Sequence, residues 1–229
     1  MKKSNYIIIA FAVFFFGLIT TMYVDAANNG ENNFKKNNTL VSSDQNLDNF
    51  SVIVAHKNTK IVLLSHNQNL LTESYYQHKD STDSSMKAFQ KKCDYRVQND
   101  TLYIDRTYKA KVTIKTTTVK TILARESSNM NFKKVESDSL TLYLTNAKVN
   151  YSNLTLNHLK VTATENSNIN LGNSKIKSIQ INLDQSKINS YRSNSNSVLA
   201  VLKNKSNLTV SKPNNLHIES DRSSTYRTY

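Results

Sequence analysis

The side chains able to do chemistry in this chain are dispersed. Glu136, Asp138, Glu165, Asp184, Glu219 and Asp221 fall on different turns and positions of a repeating pattern. Cleaving a polysaccharide needs converging carboxylates, or a base beside a metal-binding acidic cluster, and this scatter offers neither. The histidines, His56, His66, His78, His158 and His217, lack H-x-x-x-H spacing and each reads as a surface residue. Cys93 is alone, which excludes an internal disulfide and a cysteine-rich metal site. There is no G-x-S-x-G, no P-loop and no Cys/His pair with a third member. The expectation is a protein that is not an enzyme and takes no cofactor or metal.

Two sets of polar residues do recur. Asn131, Asn150, Asn170 and Asn189 follow successive apolar anchors, and stacked amides of this kind can form a ladder, expected here at one corner of the repeat. Lys148 and Lys187 share one repeat position two turns apart, which predicts an outward basic column. Thr113, Thr116, Thr117, Thr118 and Thr121 also cluster, but later turns do not continue the column that an ice-binding face would need.

The elements that must position these residues repeat six times. Each copy has an alternating apolar run, a polar corner, a small residue and an anchor. The anchors Met130, Val149, Ile169, Ile188, Leu208 and Tyr226 lie 19, 20, 19, 20 and 18 residues apart. Leu140-x-Leu142-x-Leu144, Leu159-x-Val161-x-Ala163, Ile179-x-Ile181-x-Leu183 and Leu216-x-Ile218 have the period of two that marks a strand with one buried face. So short a unit has no room for a helix besides such strands. The pattern predicts a stack of short strands, a β-helix. Leu102, Ile104 and Val112 repeat the spacing of Leu159, Val161 and Ile169, which adds an upstream turn and makes about seven rungs. A single turn buries too little to offset its own ordering, so stability must come from neighbours and both ends need covering.

Composition agrees. Gly 3 and Pro 1 are few for a protein made of turns, and Asn, which tolerates left-handed corners, is abundant. A net charge of +13 points to an anionic neighbour, yet no run of Lys/Arg interleaved with aromatics builds a nucleic-acid groove.

In chain order, Lys2 and Lys3 precede an uncharged apolar stretch from Ile7 to Val24, so residues 1–26 read as a signal peptide or a single-span anchor. The rest is expected outside the cytoplasm, touching membrane only through this segment if it is uncleaved. Residues 27–46 read as a flexible polar linker. Phe50-x-Val52-x-Val54 and Ile61-x-Leu63 read as a strand pair covering the N-terminal end of the coil. Residues 73–92 break the rhythm and are expected as a surface insertion, with a short helix over 84–91.

An export segment, Phe50-Ser51-Val52-Ile53-Val54, Asp100-Thr101-Leu102-Tyr103-Ile104, Val112-Thr113-Ile114 and turns containing Ser167-Asn168-Ile169-Asn170 together resemble the head GIN domain family of auto-transporter adhesins from Bacteroidetes. The resemblance covers roughly residues 47–229. It implies a right-handed, single-stranded parallel β-helix and an exported, periplasmic, membrane-anchored or cell-surface location. It carries over no catalytic or binding residue. Where the family favours Gly before the anchor, this chain has Ser128, Ala147, Ser167, Ser186 and Ser206.

The leading expectation is therefore a non-enzymatic adhesive or structural module of the cell envelope. Two alternatives are a carbohydrate-active enzyme with a groove near residues 73–92, and an electrostatic binder of anionic surface polysaccharide or other envelope polymer.

Overall fold

The computed structural model describes residues 3–29, 38–78, 93–108, 110–126 and 128–229. It divides into two units, Met1–Leu40 with Tyr76–Ser84, and Val41–Tyr75 with Ser85–Tyr229. In the first, helix α1 runs Lys3–Asn29, three residues past the expected end of the signal or anchor segment at residue 26. It contains an 18-residue stretch, Ile8–Asp25, long and apolar enough to cross a membrane. Within it the Thr20 and Thr21 hydroxyls are satisfied locally, donating to the Phe16 and Leu18 carbonyls at 2.7 and 2.9 Å.

The second unit is built of strands, two of which, β1 and β4, include residues of the first at one end. In chain order they are β1 (Asn38–Asn46), β2 (Val52–Ala55), β3 (Lys60–Leu64), β4 (Leu70–His78), β5 (Asp94–Gln98), β6 (Thr101–Arg106), β7 (Lys111–Lys115), β8 (Thr121–Arg125) and β9 (Asn129–Lys133). There follow β10 (Glu136–Thr145), β11 (Lys148–Ser152), β12 (Thr155–Thr164), β13 (Asn168–Gly172), β14 (Lys175–Asp184), β15 (Lys187–Ser190), β16 (Asn194–Lys203), β17 (Asn207–Val210), β18 (Asn215–Ser220) and β19 (Thr225–Thr228). A first sheet has the order β18-β16-β14-β12-β10-β8-β2-β6-β5, and a second has β1-β4-β7-β3-β9-β11-β13-β15-β17-β19. Each turn of the coil gives one strand to each sheet, and neighbouring turns pair in parallel. The fold is all-β, a parallel β-helix.

The alternation of the sequence fixes which side chains enter the core. Leu142 stacks over Val161, Val161 over Ile181 and Ile181 over Ala200 in the first sheet. In the second, Met130, Val149, Ile169, Ile188 and Leu208 form one continuous column, each at most 1% exposed. Covering each such side chain contributes about 1.5–3 kcal/mol, and only because the next turn supplies the cover. Phe132 and Tyr151 stack inside at 4.3 Å between centroids. Tyr226, the sixth anchor, is 52% exposed, because among the described residues no turn lies beyond it.

The corners leading into the second sheet are closed by small residues. Ser128, Ala147, Ser167, Ser186 and Ser206 are buried. Ser167 Oγ donates to the Thr164 carbonyl at 2.7 Å and accepts the Ala147 N–H of the preceding turn at 3.1 Å. Ser206 does the same with the Lys203 carbonyl and the Ser186 N–H. Ser167 and Ser206 thus supply buried partners that tight corners leave wanting, whereas the buried Ser128 hydroxyl has none among the described residues. Backbone reversal falls to non-glycine residues of positive φ, among them Asn58, Asn146, Asn153, Asn166, Asn173 and Asn204.

Several expectations need correction. From β10 to β19 there are five regular turns, preceded by three shorter tiers, so the count differs from seven rungs. The strand pair β2–β3 does not cap the coil. It is an interior tier: β2 pairs with β6 on one side and β8 on the other, and β3 with β7 and β9. Its phase is also shifted, since Ile53 and Ala55 point inward while Val52 and Val54 lie half-buried on the outer face. A run apolar on both faces cannot reveal its own phase. The upstream turn at Leu102, Ile104 and Val112 exists, but Ile61 separates Val112 from Met130.

Residues 116–120 cross this inserted tier and are bonded to it. Thr116 N–H donates to the Leu64 carbonyl at 2.9 Å, Thr118 Oγ1 to the Phe50 carbonyl at 2.6 Å and Lys120 N–H to the Ser51 carbonyl at 2.8 Å. The N-terminal end is closed by β4 and β5, which run antiparallel to β7 and β6. Hence Leu70–His78 is strand rather than the start of an insertion at residue 73. The helix expected over 84–91 lies outside the described residues. The region 27–46 is not wholly a linker either. Residues 38–46 form β1, next to β4 at the sheet edge, where Ser42 and Ser74 share a hydrogen bond of 2.9 Å. An edge strand is held through its backbone, so its polar composition hid it.

Candidate functional site

Beyond its closing strands β1 and β4, the second sheet is free of acids. The strands β7, β3, β9, β11, β13, β15, β17 and β19 contain no Asp or Glu, while they carry Lys111, Lys115, Lys60, Lys133, Lys148, Lys187 and Arg227. The first sheet mixes signs, with Asp94, Asp105, Glu136, Asp138, Asp184 and Glu219 beside Arg96, Arg125, Lys160, Lys175 and Lys203. There Arg96 bonds Asp105 at 2.6 Å and lies 4.5 Å over the Tyr103 ring.

Register sets the lysines of the second sheet in line. Lys60, Asn129, Lys148, Asn168, Lys187 and Asn207 are successive cross-strand partners. Lys148 and Lys187 therefore share one outward column, and Lys60 extends it with the same two-turn interval, roughly 10 Å. Among the described residues none of the three pairs with a carboxylate, whereas Lys115 at the edge reaches Asp44 at 3.5 Å.

The next column holds Asn131, Asn150, Asn170 and Asn189, again in register. Asn150 Nδ2 donates to Asn131 Oδ1 at 3.1 Å. They do not stand at a corner, as the sequence suggested, but in mid-strand. Each directly follows an inward anchor, and alternation sends it outward from the middle of the sheet. Asn189 Oδ1 accepts the Tyr191 N–H instead. Beyond lie Lys133, Ser152 and Gly172, so the far side of the face is low at the turns of Ser152 and Gly172. A Cβ at Gly172 would sit 3.3 Å from the Tyr151 carbonyl oxygen, so the backbones are close here.

Composition made the positive charge visible, but only the pairing of strands shows one face free of acids. Sequence reading saw two of the lysines and missed Lys60, because the tier that carries it is out of sequence order.

Elsewhere, burial and hydrogen bonds hold several ionisable groups away from their ordinary values. Burial pushes the Cys93 thiol up to about 12, with Glu73 adding to the effect, so it is not a thiolate at neutral pH. Buried Glu73 accepts the Cys93 N–H at 2.5 Å. Tyr151 is pushed well above its ordinary value by burial. Asp221 is lowered to about 2, chiefly by the Asn204 N–H at 2.6 Å and further by Ser224 and Ser223. Among the described residues no group of three or more His, Cys, Asp or Glu could hold a metal.

No protein-family profile matches the chain, and neither does any curated protein. Solved structures do. A proposed adhesin from Bacteroides fragilis superposes with a TM-score of 0.64 at 14% identity, over 83% of this chain and 97% of that one. A proposed adhesin from Parabacteroides merdae gives 0.49 at 13% identity, over 83% and 96%. A proposed lipid-binding protein from Parabacteroides distasonis gives 0.47 at 9% identity, over 83% and 92%. At these identities the first likeness shows a common fold.

Proposed function

We propose that this is an exported, non-enzymatic binding module of the cell envelope, of the head GIN type, that adheres to an anionic surface polymer through the outer face of its second sheet. The observation that carries this reading is the alignment of Lys60, Lys148 and Lys187 on a face whose strands hold no carboxylate. Unpaired like charges held at fixed spacing repel one another, and a bound polyanion removes that repulsion. The apolar helix α1 and the fold shared with proposed adhesins support an envelope location.

The test is retention on an immobilised acidic polysaccharide across a salt series. Retention should fall steeply as the screening length drops from ~10 Å at 0.1 M to ~3 Å at 1 M. Replacing Lys60, Lys148 and Lys187 together by Ala should weaken binding at low salt by roughly tenfold or more, about 1.4 kcal/mol per tenfold. Retention indifferent to salt and to the triple variant sinks the proposal.

A further inference from the structure

Granting that reading, we infer that the polymer is an extended acidic polysaccharide with a carboxylate on every second sugar, lying parallel to the coil axis with one sugar over each turn. Three features of the face converge on it. Turns repeat at about 4.8 Å, which is also close to the length of one pyranose in an extended β-linked chain. The column Asn131, Asn150 and Asn170 presents one amide per turn, and an amide offers both donors and an acceptor to sugar hydroxyls. The low edge formed by Ser152 and Gly172 leaves room for rings to lie flat on these amides.

The third feature is an alternation of charge with a period of two turns. Turns that present a lysine have uncharged residues of positive φ at the preceding corner: Asn58 before Lys60, Asn146 before Lys148 and Gln185 before Lys187. Two of the turns that present an asparagine have a glutamate there, Glu126 before Asn129 and Glu165 before Asn168, while the last, Asn207, follows Asn204 and Lys205. Both glutamates are exposed. A sugar carboxylate over Lys148 meets a cation beside a neutral amide. One over Asn168 has its cations a full turn away on either side, about 4.8 Å, and follows a corner that carries Glu165. A chain acidic at every sugar is therefore opposed at alternate turns, whereas one acidic at every second sugar is matched along Lys60, Lys148 and Lys187.

Titration calorimetry of the full chain decides this with two β-linked oligosaccharides of equal length, hyaluronan fragments (acidic at alternate sugars) and oligomannuronate (acidic at every sugar). The charge-conserving variant Asn168→Lys with Lys187→Asn breaks the alternation at exposed positions. The variant Glu126→Gln with Glu165→Gln removes the opposing anions. Wild type should prefer the alternating fragment, and the first variant should weaken it about tenfold. The second should strengthen oligomannuronate and leave the alternating fragment little changed. Affinity that follows charge count alone, with the first variant indistinguishable from wild type, overturns the inference while leaving the acid-free binding face standing. Failure of both acidic fragments to bind overturns the face as well. Should the first variant misfold by circular dichroism, the second decides alone.

Discussion

From residue 50 to residue 133, strands distant in sequence are neighbours: β2 lies between β6 and β8, β3 between β7 and β9, and residues 116–120 bridge across them. From Glu136 onward each turn touches only the turn before and the turn after, 18–20 residues away, and the last one stands uncovered. The same repeat thus yields two kinds of stability. In the wound region each turn depends on its nearest neighbours, so loss can begin at the open end and proceed turn by turn. In the interwoven region, removing one tier leaves two others without partners, so that region must open as a unit.

Three measurements can break or sharpen this contrast. The largest effect is expected from Ile61→Ala, a residue 1% exposed in the inserted tier; denaturant titration should show a loss of about 2–5 kcal/mol. The loss should reach every probe at once, and a change confined to β3 would dissolve the distinction between the regions.

A smaller effect is expected from acid at the open end. Asp221 has a folded pKa below its ordinary 3.8, at about 2, so its stabilising contribution is complete above the ordinary value and is lost as pH falls toward the folded one. Amide exchange of β18 and β19 should therefore accelerate between about pH 4 and 2, ahead of β3 and β9. Uniform loosening would count against turn-by-turn loss. The smallest effect belongs to Leu216→Ala. At 39% exposure in the last turn, Leu216 should contribute under about 1 kcal/mol, although the equivalent Val198 one turn below is 1% exposed. A cost equal to that of Ile61→Ala would mean that something covers this end in solution.

The two faces of the coil differ in the same way as its two regions, through pairing rather than composition. Lys133 and Lys148 lie in unrelated sequence contexts, and so do Asp105 and Asp184. Yet no carboxylate lies on the second-sheet strands from β7 to β19, and Asp44 and Glu73 sit on β1 and β4 at the closing edge. Where apolar and polar residues alternate cleanly, as in Leu140-Thr141-Leu142-Tyr143-Leu144, the inward side was legible before any coordinates. In Val198-Leu199-Ala200-Val201-Leu202 it was not. Register with β14 now places Val198, Ala200 and Leu202 inside and leaves Leu199 43% exposed.

The amino-acid order determined the parallel β-helix, its period, its buried anchors and the apolar segment at its start, because each of these follows from local alternation and spacing. Tertiary structure alone decided which tiers are neighbours, that β2–β3 is threaded into the stack, and that Lys60 joins Lys148 and Lys187 on a face without acids. Those are long-range pairings, and a short strand of apolar residues carries no label for the partner it will find.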